Sequence, residues 1–202
     1  MALHFNPVIR GAVYEFKPKE NDSYVWEVTE LNLHNFKKTF DFEPNFELGD
    51  QKKITIRKIF ETGTGWTLTL EEWPHGRSFG PNGSIEYAMV PRIPAEYDGQ
   101  IFIPAPARDF LLEAYKTLPT EYILSGLTVT YRARGYTRIK EYTPNGVLVS
   151  ESILDASGIV CVKMEGTFRM IPSGIIEPIA IILVATAFLI FKMSRKKQIS
   201  TA

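Results

Sequence analysis

Apolar and polar residues alternate along most of the chain up to Pro172, and the alternation has the period of a strand. "SYVWEVTEL" sets Tyr24, Trp26 and Val28 against Val25, Glu27 and Thr29, so one face is more apolar than the other. "GAVYEF" alternates in the same way and predicts a further strand before it. "KKITIRKIF" and "GWTLTLEEW" are rich in β-branched residues and are separated by "ETGTG", whose glycines accept positive φ; this is a hairpin pattern. "PHGRSFGPNG" reads as a long turn and "SIEYAMVP" as the strand after it. "PRIPAEYDGQIFIPAPA" holds four prolines, which exclude a central strand or a helix interior. It predicts an extended segment crossing the surface of the core.

The pattern changes period in two places. In "PARDFLLEAYKTLP", Phe110, Leu111, Ala114, Tyr115 and Leu118 fall on one face of a helix that Pro119 stops. In "LHNFKKTFDFEPNFELGD", Leu33, Phe36 and Phe40 have helical spacing, which fits either a short helix or an aromatic-rich loop. The stretch from Leu127 to Met170 returns to strand period as a meander, with "TPNG" and "DASG" as turns and Tyr142, Val147, Val149 and Ile153 available to one face. An apolar helix needs a sheet to cover it, and the sheet needs something other than water on its inner side. The expected fold is therefore α+β, mostly β: a curved, half-barrel-like antiparallel sheet packed on one helix.

A C-terminal transmembrane helix is expected to follow. Ile175, Ile176, Ile179, Ile181, Ile182, Leu183, Val184, Phe188, Leu189, Ile190 and Phe191 fill a run from which Glu177 and Pro178 are the departures, both at its start. Gly174 to Phe191 is 18 residues, about 27 Å of helix and enough for a hydrocarbon core when Lys192 extends its stem. A buried core helix would show a polar stripe, and none appears. The resulting division is a β-rich domain over 1–172, a span over 173–192 and a short basic tail over 193–202. Lys192, Arg195, Lys196 and Lys197 follow the span with no acid among them, so the positive-inside bias places the tail in the cytoplasm and the domain outside. "MALHFNPVIRGAVYEF" lacks the apolar core of a signal peptide. Two topologies follow: an exported domain whose start or signal lies upstream, which the cations favour, or a tail-anchored protein with a cytosolic interaction domain. The sequons at Asn21 and Asn82 agree with the first.

Composition narrows the function. Hydrophobic residues make up 45% of the 202 and aromatics 12%, enough for a packed core. Lys plus Arg and Asp plus Glu are 23 each, but the residues before Pro172 carry 19 cations against 22 acids, a balance that gives no reason to bind nucleic acid. Cys161, in "GIVCVKMEG", has no second thiol to pair with and reads as a small apolar side chain. His4, His34 and His75 form no metal-ligand spacing, and no phosphate loop, dinucleotide fingerprint or nucleophile elbow occurs. No cofactor, metal or catalytic residue is therefore assigned. Glu71, Glu72 and His75 in "EEWPH" are the candidates for acid/base work, weighed against a solvated strand end. Arg132, Arg134, Arg138 and Lys140 alternate with Tyr131, Tyr136 and Tyr142; a solvated strand face is the simpler reading, and contact with anionic headgroups a further one.

"SYVWEVTEL", "GWTLTLEEW", "IFIPAPARDFLLEAYKTLP" and "YTPNGVLVSESILDASGIVCVKMEGTFRMIPSG", followed by the span and basic tail, resemble uncharacterised archaeal single-pass surface proteins. The resemblance implies a membrane-anchored, β-rich ectodomain and usually a signal peptide, from which this sequence departs. It carries over no site. The rhythm of Tyr142, Gly146, Val147 and Leu148 is similar to that of lipoprotein-carrier-like half-barrels that hold acyl chains, an analogy of fold only. The expected function is a non-enzymatic surface domain that binds an apolar ligand or a protein partner at the inside or rim of its sheet, with the lipid bilayer as its other partner. The alternatives are a hydrolase using Glu71, Glu72 or His75, and an envelope interaction protein met at its exposed sheet edge.

Overall fold

A computed structural model of the chain describes residues 13–167. The anchor from Ile175 to Phe191 and the cations Lys192, Arg195, Lys196 and Lys197 lie outside the described residues. Among the described residues, no helix is long and apolar enough to cross a membrane.

Nine antiparallel strands form one sheet: β1 (Ser23–Leu31), β2 (Gln51–Glu61), β3 (Gly65–Gly76), β4 (Ser84–Pro91), β5 (Tyr122–Ser125), β6 (Thr128–Ala133), β7 (Tyr136–Tyr142), β8 (Leu148–Asp155) and β9 (Val160–Gly166). Their order is β4-β3-β2-β1-β9-β8-β7-β6-β5. The β2–β3 hairpin, β4 and the β6–β9 meander stand where the alternation places them. Of "GAVYEF", the described residues 13–16 form no strand: Glu15 alone bridges, to Ala105, because they meet the proline-rich crossing segment rather than the sheet.

Among the described residues there are two α-helices where one is expected to pack on the sheet, α1 (Leu33–Phe40) and α2 (Ala107–Tyr115). Asn32 caps α1 by accepting from the Asn35 amide at 3.0 Å, and Asp41 ends it in the left-handed region. Its Phe36 packs on Phe40 at 4.8 Å and, with Val28, Cys161 and Val162, forms a small core. Helix α2 buries Ala107, Phe110, Leu111 and Ala114, each side chain of the larger kind contributing roughly 1.5–3 kcal/mol. It stops a turn before Pro119, since Thr117 and Leu118 both donate backbone amides to the Ala114 carbonyl.

Strand register places both cores on the same face of the sheet. On β1, Tyr24, Trp26 and Val28 share a face; the first two join the larger cluster with α2 and the third the smaller one with α1. Tyr142 and Val147 join the α2 cluster, whereas Ile153 packs against the α1 cluster, so the two parts of the meander serve different cores.

The later part of the crossing segment is buried rather than laid on the surface, while Ile93, Ala95, Glu96 and Asp98 before it are exposed. Phe102, Ile103 and Ala105 are 2%, 0% and 4% exposed. Residues 97–106 form a strap whose polar backbone is satisfied by the β7–β8 hairpin: Ile103 donates to Gly146 at 2.8 Å, Leu148 donates to Ile101 at 2.9 Å, and Ala107 donates to Pro144 at 3.1 Å. Only glycine fits at 146. Its φ is +83°, and a Cβ there would stand 1.9 Å from the Ile103 carbonyl oxygen.

Gly146→Ala should cost about 3 kcal/mol, combining left-handed strain with displacement of the strap. Gly158→Ala, at φ +80° with nothing within 4 Å of the added Cβ, should cost only roughly 1–2 kcal/mol. Urea unfolding followed by tryptophan fluorescence measures both; equal costs would show that the strap does not press on Gly146.

Candidate functional site

The three acid/base candidates do not converge. Glu71 faces the outer side of the sheet, opposite Thr55, where Arg57 donates to it and the Gly83 amide donates at 3.0 Å. The amide of Gly83 and then Arg57 hold its carboxyl below the usual range. The turn after β3 folds back here, and Trp73 donates from its indole to the Gly80 carbonyl at 2.9 Å. Glu72 faces inward and pairs with Lys52 at 2.7 Å.

His75 joins Glu72 on the inner side because β3 bulges against β2 between its pairings at Trp73 and Gly76. Pro74 sits at this bulge, where a missing amide costs no ladder bond. The His75 ring lies 4.9 Å from that of Phe46. Burial lowers its pKa and Lys52 lowers it further, against the opposing pull of Asp50 and Glu72. Among the described residues, no group of three or more His, Cys, Asp or Glu side chains is placed to hold a metal ion. Cys161 is fully buried, with Thr39 Oγ1 at 3.6 Å from its sulfur.

The basic cluster also divides. Arg132 and Arg134 are exposed. Arg138 and Lys140 face inward and meet Glu151 at 3.2 and 3.9 Å. Lys140 is not on a solvated face: its ammonium donates to the Gly99 carbonyl of the strap. Burial lowers its pKa, with Glu151 opposing. Next to it, Tyr142 donates to the Gln100 carbonyl at 2.7 Å and lies 3.1 Å from the Tyr97 hydroxyl. The strap is thus pinned by side chains of β7 as well as by backbone.

Pinning the strap leaves a groove on its other side. It has a volume of about 690 Å³ and runs along β4 from Glu86 to Pro91, with residues 96–102 as its opposite wall. Its floor is apolar, made by Ile54, Leu70, Val90 and Phe102. Its rim carries Glu72, Glu86, Glu96 and Asp98, and among the described residues no Lys or Arg lines it. Such a site can desolvate an apolar body while its carboxylates attract positive charge. Sequence reasoning did not bring these residues together. The four acids are spread over 27 positions, and only the burial of the strap, concealed by its prolines, makes them neighbours.

The pinning tyrosines give the site a pH limit. Burial raises the phenol pKa of Tyr14, Tyr24, Tyr122 and Tyr142, and pushes that of Tyr97 up to about 12 despite its hydrogen bond with Tyr142. In the unfolded chain these groups ionise near pH 10. Their contribution to stability is therefore complete below about pH 10 and is lost as pH rises from there toward the folded values. In an alkaline titration, the last part of the tyrosinate absorbance should appear only as the far-ultraviolet circular dichroism of the sheet collapses. Ionisation of all nine tyrosines with that signal intact would contradict the burial.

No protein family, curated protein or solved structure matches the chain.

Proposed function

We propose that the protein is a membrane-anchored surface domain that binds without chemistry, receiving an apolar ligand or a segment of a partner protein in the groove between the strap and β4. One observation carries this reading: the groove is open and preformed, its floor is apolar and its rim acidic, and its wall is fixed by hydrogen bonds from Tyr142 and Leu148. The hydrolase alternative, on Glu71, Glu72 or His75, draws less support, since Glu71 is on the face opposite the other two.

The half-barrel form of the sheet belongs to this proposal. Nine flat strands would span roughly 38 Å, yet a nine-residue helix of about 14 Å and the strap join one contiguous core from Val90 on β4 to Val129 on β6. A sheet coiled around them accounts for that reach. Anchoring rests on the apolar run before Lys192, and the exterior placement on the cations after it. Asn21 and Asn82 are both exposed, as glycan acceptors must be.

The experiment is purification of the full chain from carbonate-washed membranes in mild detergent, followed by native mass spectrometry. The protein is expected in the washed membranes, with an added mass that disappears in Ala88→Trp, which fills the groove beside Leu68. Extraction by carbonate alone would refute the anchor. An added mass unchanged by Ala88→Trp, or none at all, would refute the groove.

A further inference from the structure

Strand β4 is the outermost strand of the sheet among the described residues, and it has few of the devices that usually protect an edge. It pairs with β3 through eight successive residues with no register shift, from Gly65–Pro91 to Glu72–Ser84. It has no lysine and no bulge, and its one proline, Pro91, is at its end. The opposite edge strand, β5, has only four residues.

The two faces beside this edge differ in chemistry. On the outer face, Ile85, Tyr87 and Met89 are 53%, 75% and 53% exposed, an apolar row on a strand of a protein whose other large side chains mostly find cover. On the inner face the edge adjoins the groove. Glu86, Glu96 and Asp98 are exposed there, and among the described residues no Lys or Arg stands within 4.0 Å of their carboxylates. Glu72, the fourth acid, is already paired with Lys52.

A strand added to this edge would point alternate side chains to the two faces. Those on the outer side would meet Ile85, Tyr87 and Met89. Those on the inner side would enter the groove, where long basic side chains can lay their stems on the apolar floor and their charges against the carboxylates. Building on the reading of the groove as a binding site, we propose that its occupant is an extended protein segment in which apolar and basic residues alternate, bound as a tenth strand alongside β4.

The probe is an eight-residue peptide of alternating Val and Lys, blocked at both ends, titrated into the full chain in detergent micelles by fluorescence anisotropy. The control peptide alternates Val and Glu. The Val–Lys peptide should bind at least about tenfold more tightly than the control, and added salt should weaken it. Neutralising the rim with Glu86→Gln, Glu96→Gln and Asp98→Asn together should weaken it about tenfold. In hydrogen exchange by nuclear magnetic resonance, every second amide of β4 should slow on binding, which charge attraction alone would not produce. Equal affinity for the two peptides, or no slowing along β4, would overturn the proposal even where the rim variant behaves as expected. A peptide that fails while a native added mass is still displaced by Ala88→Trp would leave the groove as a binding site and refute only the strand-like basic occupant. Peptide binding untouched by Ala88→Trp would put the segment elsewhere and refute it as well.

Discussion

The backbone of the strap, threaded under the β7–β8 hairpin, is the constraint on which the rest depends. A proline-rich segment has few amides to donate and cannot enter a sheet, so burying it exposes carbonyls and amides to an apolar interior. Here the cost is met locally. Ile103 and Leu148 exchange bonds with Gly146 and Ile101, and Tyr142 and Lys140 supply donors to Gln100 and Gly99. The approach is so close that residue 146 has no room for a side chain. With its polar groups satisfied, the strap can turn Phe102 and Ile103 into the core, against Tyr24 at 5.3 Å between the Tyr24 and Phe102 rings.

Several features of the inner face follow. The strap delivers α2 to the end of the sheet where Tyr24, Trp66, Tyr142 and Leu148 lie, while α1 covers Val28, Val162 and Ile153 toward the other end. Trp26 ties the sheet across β9, donating to the Leu148 carbonyl at 3.0 Å, and the residue paired opposite it on β9 is Gly166, which leaves the indole space. Charges between the two covers meet opposite charges, Lys52 with Glu72, and Arg138 and Lys140 both with Glu151. Around the groove, among the described residues, Glu86, Glu96 and Asp98 stand without a cation within 4.0 Å. Stability and the candidate site thus have one origin: the segment that closes the core also forms the wall of the groove.

Much of this was legible in the residues, because strand alternation and glycine turns are local signals. The β2–β3 hairpin, β4, the later meander and the helix at Phe110 are each specified within a dozen positions. The parts that were not legible depend on distant partners. "GAVYEF" has the strand period but pairs only through Glu15, since Ala105 and not a sheet edge meets it. The prolines of the strap indicate an extended chain and say nothing of depth; burial came from Gly146 and Tyr142, more than 30 positions away. Lys140 looked like part of a solvated basic row, and only the Gly99 carbonyl above it shows otherwise. His75 could not be placed from its neighbours, because one bulge at Pro74 decides which side of β3 it faces.

Hydrogen exchange of the Ile103 and Leu148 amides in the full chain tests the central role of the strap most directly. If the strap is integral to the core, both amides exchange only through global unfolding, with the same free energy and denaturant dependence as Val28 in the middle of the sheet. Exchange of Ile103 and Leu148 through a cheaper, local opening, with Val28 still protected, would show a strap that merely rests on an independent sheet, and the groove wall would then not be fixed.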